Sequence, residues 1–360
     1  MTAKPKTCPV NSHTEWGLLE EVIIGNPAKA FANFWEPVDE MVFSNEELAD
    51  IEKYVKLGQP YPPAIIDAAC QAVERLKVLL QSEGVFVKQV KTADYSHSFS
   101  SPHWQVKSGF CSANPRDPFI IIGDQIIETP MSARSRYFEG NAYHDFFQEY
   151  ADLGARWVSA PRPLLLDELY NKDYELEDSP TPYVLTNIEP VFDAADFVRC
   201  GRDIIGQLSN VTNQAGVDWL QTHLGSDYKI HLIKSLDPKP VHIDTTLMPL
   251  CPGKVLVNPV FTDISKLPDI FKSWQVLQTP KPVPYKVLPR MMSDWISMNT
   301  LMLDENRIIV EERQTPLITA LKGWGFDPIP CAFEDYYPFV GGFHCATLDI
   351  RRQGQLESYF

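Results

Sequence analysis

The chain has 360 residues, 44% hydrophobic and 22% charged, an ordinary globular composition with apolar side chains enough for a sizeable core. Its formal net charge of −15 argues against nucleic acid, since phosphate contacts need clustered Lys and Arg, and suits a small cationic substrate. Seven cysteines without a Cys-x-x-Cys pair read as reduced thiols of a cytoplasmic protein, and the polar N-terminus lacks the apolar run of a signal peptide or membrane span.

Thirty prolines break the chain often, so few long helices are expected. Between them a strand or hairpin, an amphipathic helix and a further strand recur five times. The first unit has a strand at Leu18–Gly25, a helix near Ala64–Glu83 striped by Ile65, Ala69, Val73, Leu76 and Leu80, and a strand at Val85–Val90. The second pairs Phe119–Ile122 with Ile126–Thr129 around Gly123-Asp124, then continues as a helix near Ala142–Leu153 and a strand near Trp157–Ala160. The third is a hairpin over Val191–Gln207, a helix over Thr212–Leu224 and a strand at Lys229–Ile233. The fourth turns at Pro252-Gly253 between Thr246–Leu250 and Lys254–Asn258, followed by a short helix (Leu267–Ser273) and a strand (Gln275–Gln278). The fifth turns at Asp304–Asn306 between Thr300–Leu303 and Arg307–Glu311, with a helix at Pro316–Gly323 and a strand at Pro328–Ala332. A last strand, Cys345–Arg351, closes the set, and Asp173–Pro182 reads as an exposed loop. Five ββαβ-like units suggest a radial α/β propeller around a central channel; one irregular α+β domain fits the same pattern. No stretch reads as an interdomain linker, so a tail over 1–11 and a single domain over 12–360 are expected.

Three stretches combine reactive side chains with turn formers. In Gly341-Gly342-Phe343-His344-Cys345, two glycines allow a ligand close to the backbone and can display Cys345 at a strand end; read alone, it is equally an inert buried thiol. In Pro240–Asp244, strand alternation would put His242 and Asp244 on one face, an acid/base beside a carboxylate, or simply a half-buried histidine. Asp193 and Asp196, within an apolar, alanine-rich run, either hold a turn or act in a site. Arg116-Asp117 reads first as surface charge. The eight histidines show neither an i, i+4 pair nor a nearby Cys pair, so no metal is expected. No Gly-rich phosphate loop opens a helix, so no nucleotide cofactor is expected either.

These residues carry a resemblance. Glu189–Leu208, with Glu-Pro-Val-Phe-Asp-Ala-Ala-Asp-Phe and Gly-Arg-Asp-Ile, resembles the arginine:glycine amidinotransferase family. So do His242–Thr246, Trp295–Asn299, and Gly-Gly-Phe-His-Cys with Asp349–Arg352. The likeness runs from about Ser12 to the C-terminus. It implies the five-bladed pentein propeller, no cofactor, L-arginine and an amine acceptor as partners, and is compatible with a homodimer. It implies Cys345 as nucleophile, His242 as acid/base and Asp193 as the carboxylate that orients it. Asp117 and Asp244 would grip the guanidinium, and Ser293 matches a serine near the substrate.

Two departures bear on the acceptor. Where family members that use glycine carry an arginine for the substrate carboxylate, this chain has Phe261, in Asn258-Pro259-Val260-Phe261-Thr262; where they often have Met before the histidine, it has Val241. Losing the fork of donors favours a larger, less polar amine. That is closest to the saxitoxin-pathway type among the cyanobacterial toxin-pathway amidinotransferases, whose acceptor is an amino-ketone. A glycine amidinotransferase of the cylindrospermopsin type and an arginine deiminase-like hydrolase are the alternatives within enzymes. A binding-only propeller would have no need of the Cys/His/Asp set.

Overall fold

Hairpins form where the sequence supplies a turn. Gly123 (φ 62°) and Gly253 (φ 80°) take the left-handed conformation that glycine adopts without a Cβ penalty. At the fifth hairpin Asp304 does the work with its side chain, Oδ1 accepting the N–H groups of Asn306 (2.9 Å) and Arg307 (2.8 Å). The structure, a computed structural model, describes residues 8–360.

Its core is five three-stranded sheets of one design: an antiparallel hairpin whose second strand pairs in parallel with a third strand. Four of them are Phe119–Ile122/Gln125–Glu128/Arg156–Ser159, Phe197–Cys200/Asp203–Gln207/Lys229–Ile233, Leu247–Cys251/Lys254–Val257/Gln275–Gln278 and Leu301–Met302/Arg307–Glu311/Asp327–Cys331. The fifth joins the chain's two ends, with Thr347–Arg352 antiparallel to Leu19–Ile24 and Leu19–Ile24 parallel to Phe86–Gln89. Parallel pairing needs a crossover, and helices Pro63–Ser82, His144–Asp152, Gln214–Leu224 and Thr315–Gly323 supply it in four sheets. In the remaining one a 3₁₀ turn, Asp269–Ser273, replaces the expected short helix. The helix Pro63–Ser82 buries Ala69, Val73, Leu76 and Leu80 of the expected stripe, with Ala72 beside them, while Ile65 in its first turn is half-buried.

Several boundaries differ from expectation for physical reasons. The hairpin expected from Val191 begins only at Phe197, because Ala194–Asp196 coil into a 3₁₀ turn. The last strand starts at Thr347, after a turn that holds Cys345. The helices Pro37–Val42 and Asn45–Ile51, closed by capping boxes at Glu36 and Ser44, were not anticipated. Of the tail expected over 1–11, residues 1–7 lie outside the described residues. Val10 packs with Ile23, Phe119 and Ile350, and the Asn11 N–H donates to the Ile350 carbonyl at 3.0 Å. Among the described residues, no helix is long and apolar enough to cross a membrane.

Candidate active site

Each sheet is entered through a turn, and the chemistry-bearing residues sit on those turns. Asp117 precedes Phe119–Ile122, Asp193 precedes Phe197–Cys200, and His242 and Asp244 precede Leu247–Cys251. Asn299 precedes Leu301–Met302, and Cys345 precedes Thr347–Arg352. Side chains from all five turns meet at one cavity of about 430 Å³.

At its floor lies Cys345, only 2% exposed. Burial, then the neighbouring Asp244 carboxylate, push its thiol up to about 12 against the opposing pull of His242. Its Sγ lies 3.5 Å from Asp244 Oδ2, to which the thiol donates. His242 Nε2 is 3.2 Å from Asp193 Oδ2, and Nδ1 is 3.8 Å from Asp117 Oδ1. Burial alone would lower the imidazole pKa, but Asp117, Asp193 and the Cys345 sulfur outweigh it and hold the ring well above its ordinary value, and so protonated. Burial likewise raises Asp117, opposed by His242 and Arg136. Asp244 is also buried, yet the hydrogen bond and charge of His344 (Nδ1 to Oδ2, 3.1 Å) keep it below the usual carboxylate range.

Two buried oxygens, Asp117 Oδ1 and Asp193 Oδ1, have no hydrogen-bond partner. Orphaned buried acceptors are costly, and a planar cation with five N–H donors would satisfy them.

His242 and Asp244 do not reach the cavity by strand alternation. His242 is the extended residue before a 3₁₀ turn, Ile243–Thr245, that carries Asp244. Asp193 and Asp196 divide the two readings left open for them. Asp193 faces His242, whereas Asp196 takes hydrogen bonds from Gln207 (2.9 Å), Ser209 (2.6 Å) and Thr212 (2.5 Å) and holds its turn. Ser293 is exposed on the cavity wall, with half-buried Val241 and buried Phe261, whose ring lies against Trp295.

Arg116-Asp117 is no surface pair. The Arg116 guanidinium is buried against Asp349 and donates from Nε to the His344 carbonyl at 2.7 Å. Beneath the cavity this joins a buried network in which Arg199 donates to Glu15 (2.8 Å) and Asp349 (2.6 Å), and Arg352 to Asp349 (2.7 Å). His344 bridges Asp244 to Glu15 (Nε2 to Oε2, 3.3 Å). Arg136, clamped bidentately by Glu139 and 3.0 Å from Asp117, was also not anticipated, nor was Asn299. A signal for Asn299 existed in its position, immediately before a hairpin like the other four.

Cys345, His242 and Asp117 could each offer a metal one ligand atom, all within 4.8 Å of one another. With His242 protonated and Asp117 paired to Arg136, the set suits a proton and a cation better.

No protein-family model matches the chain. It is 44% identical over 357 residues to an L-arginine:L-lysine amidinotransferase of Pseudomonas savastanoi pv. phaseolicola, covering 98% of this chain and 97% of that protein. It is 39% identical over 368 residues to the mitochondrial glycine amidinotransferase of Gallus gallus, covering 99% and 86%. Among solved structures it matches SxtG, an amidinotransferase of the saxitoxin biosynthetic pathway from Microseira wollei, with a TM-score of 0.94 and 53% identity over 98% of this chain and 100% of that one. Likeness at this level along the whole length makes the chain an enzyme of the amidinotransferase family.

Proposed function

We propose that the enzyme transfers the amidino group of L-arginine to a primary amine through an amidino-Cys345 intermediate, releasing ornithine. The observation that carries this reading is the pairing of a buried thiol and a protonated imidazole with the orphaned oxygens of Asp117 and Asp193 on one cavity floor. The five like sheets, each lending one turn to that cavity, support the closed five-bladed pentein propeller and a single domain over 12–360.

Asp117 and Asp244 grip the guanidinium and keep it cationic. That charge offsets the carboxylates that raise the Cys345 thiol, so substrate binding itself promotes loss of the thiol proton to solvent water, from which the sulfur regains it once the guanidino product has left. The thiolate attacks the guanidinium carbon, the bond to the ornithine nitrogen breaks, and His242, oriented by Asp193, gives that nitrogen its proton. The neutral imidazole then takes a proton from the acceptor amine as it attacks the amidino-cysteine, and the thiolate leaves. No cofactor enters.

The acceptor, in this reading, is not glycine but an amine with a larger apolar body, such as an amino-ketone. Phe261 stands where glycine-using relatives carry the carboxylate-binding arginine. The cavity lining also takes Trp35, Val38, Val42 and Tyr61 from the segment between the first strand and the first crossover helix, beside the charged Asp39, Glu47, Lys239 and Arg290. Steady-state assays with arginine and a panel of glycine, lysine and a long-chain amino-ketone test it. Parallel double-reciprocal plots and preference for the amino-ketone are expected, with Phe261→Arg raising glycine use. Intersecting plots contradict the covalent scheme, and strong wild-type preference for glycine contradicts the acceptor.

A further inference from the structure

Four of the five turns contribute a residue to the scheme above; the turn before Leu301–Met302 contributes Asn299, which has no role in it. Its side chain is 2% exposed and fully committed. Oδ1 accepts two backbone N–H groups, from His344 (2.8 Å) and Cys345 (3.3 Å). Because those partners only donate, the amide cannot be flipped, and Nδ2 must face the other way. There it donates to Asp244 Oδ2 (2.7 Å) and to Cys345 Sγ (3.0 Å). The Asn299 carbonyl also receives the Phe343 N–H at 3.2 Å. Gly342 makes this approach possible, since a Cβ there would lie 2.7 Å from Oδ1 and 2.8 Å from the Asn299 Cβ.

We propose that Asn299 is a catalytic residue that stabilises the Cys345 thiolate. The inference rests on the covalent reading of Cys345. A thiol gives up its proton with difficulty beside Asp244, and the anion that results needs donors that do not depend on a titrating group. The amide supplies one that is neutral at every pH. The same side chain shares its two hydrogens between the sulfur and Asp244 Oδ2, which are themselves 3.5 Å apart, so each anion keeps a donor when both are ionised. Its Oδ1 meanwhile fixes the backbone of residues 344 and 345, which aims Sγ into the cavity. Through Asp244 the device continues to His344 and Glu15, buried behind the site.

The test follows the thiolate of the free enzyme through its rate of alkylation by iodoacetamide at a series of mildly alkaline pH values, read by intact mass against a Cys345→Ala background that accounts for the other cysteines. Asn299→Ala removes the amide. Asn299→Asp keeps the shape and the acceptor for the two N–H groups but puts a carboxylate where the donor was. In both variants the thiolate should appear at higher pH, with about tenfold less of it at a given pH than in wild type. Single-turnover amidination by arginine should slow by a similar factor with little change in the arginine concentration required. Circular dichroism establishes folding, and Asn299→Asp stands in if Asn299→Ala does not fold. A folded variant that titrates with wild type overturns the assignment. The titration needs neither arginine nor acceptor, so failure of amidino transfer, read as a wild-type enzyme that forms no adduct, is a separate outcome.

Discussion

Each side chain at the cavity floor is useful because of what its neighbours do to its charge. Cys345 by itself is a poor nucleophile, and His242 would lose its charge on burial if Asp117 and Asp193 were not beside it. Asp117 is the foremost of the groups that raise the imidazole pKa. Removing its charge in Asp117→Asn weakens the charged form of the ring, so the pKa should move down toward the ordinary histidine value. An NMR titration of His242 checks this: wild type should stay protonated through the usual histidine range, and the variant should titrate within it or below. In the sequence Cys345, His242 and Asp193 lie in stretches of unusual residue types that also allow a structural reading, Asp117 reads first as surface charge, and it is the family resemblance that joins the four into one site. Arg136 gave no signal, and Asn299 only its place in a family motif just before a hairpin. An asparagine before a strand and an arginine in a polar run look like turn and surface, and only the fold brings one to Sγ and the other to Asp117.

The five entry turns are the elements that matter most, and their conformations follow from crowding. At Gly342 a methyl group would collide with Asn299, and at Gly341 a Cβ would lie 2.8 Å from that of Cys345 and 2.5 Å from Asn114 Oδ1. Gly342→Ala should therefore displace Asn299 and cut kcat by about tenfold or more while the protein stays folded; steady-state kinetics with a melting curve measure both. The hairpins and crossover helices were readable because turn glycines and apolar periodicity are local signals. The entry turns were misread as strand at 191–196 and 240–244 because short apolar runs fit either state, and the competing hydrogen bonds come from distant residues such as Thr212, whose hydroxyl accepts the Asp193 N–H at 3.2 Å. The helices Pro37–Val42 and Asn45–Ile51 were missed because each is under three turns long and carries little periodicity.

Over the whole molecule, the two ends of the chain meet in one sheet, and the charges beneath the cavity tie sheets together. Arg199, on one sheet, binds Glu15 from the N-terminal segment and Asp349 on another. No sequence pattern announces such a network, since Glu15, Arg116, Arg199 and Asp349 come from four distant stretches of the chain. Arg199→Ala leaves Glu15 and Asp349 buried with fewer partners and should cost about 3–5 kcal/mol of stability, measurable by denaturant unfolding. Everything at the cavity floor converges on Cys345, and an intact mass after incubation with arginine alone reads its state. The covalent account expects a gain of about 42 Da, one amidino group, in wild type and none in Cys345→Ala. An unmodified protein with citrulline accumulating would contradict amidino transfer in favour of hydrolysis, and an unmodified protein with no product would contradict arginine as the donor.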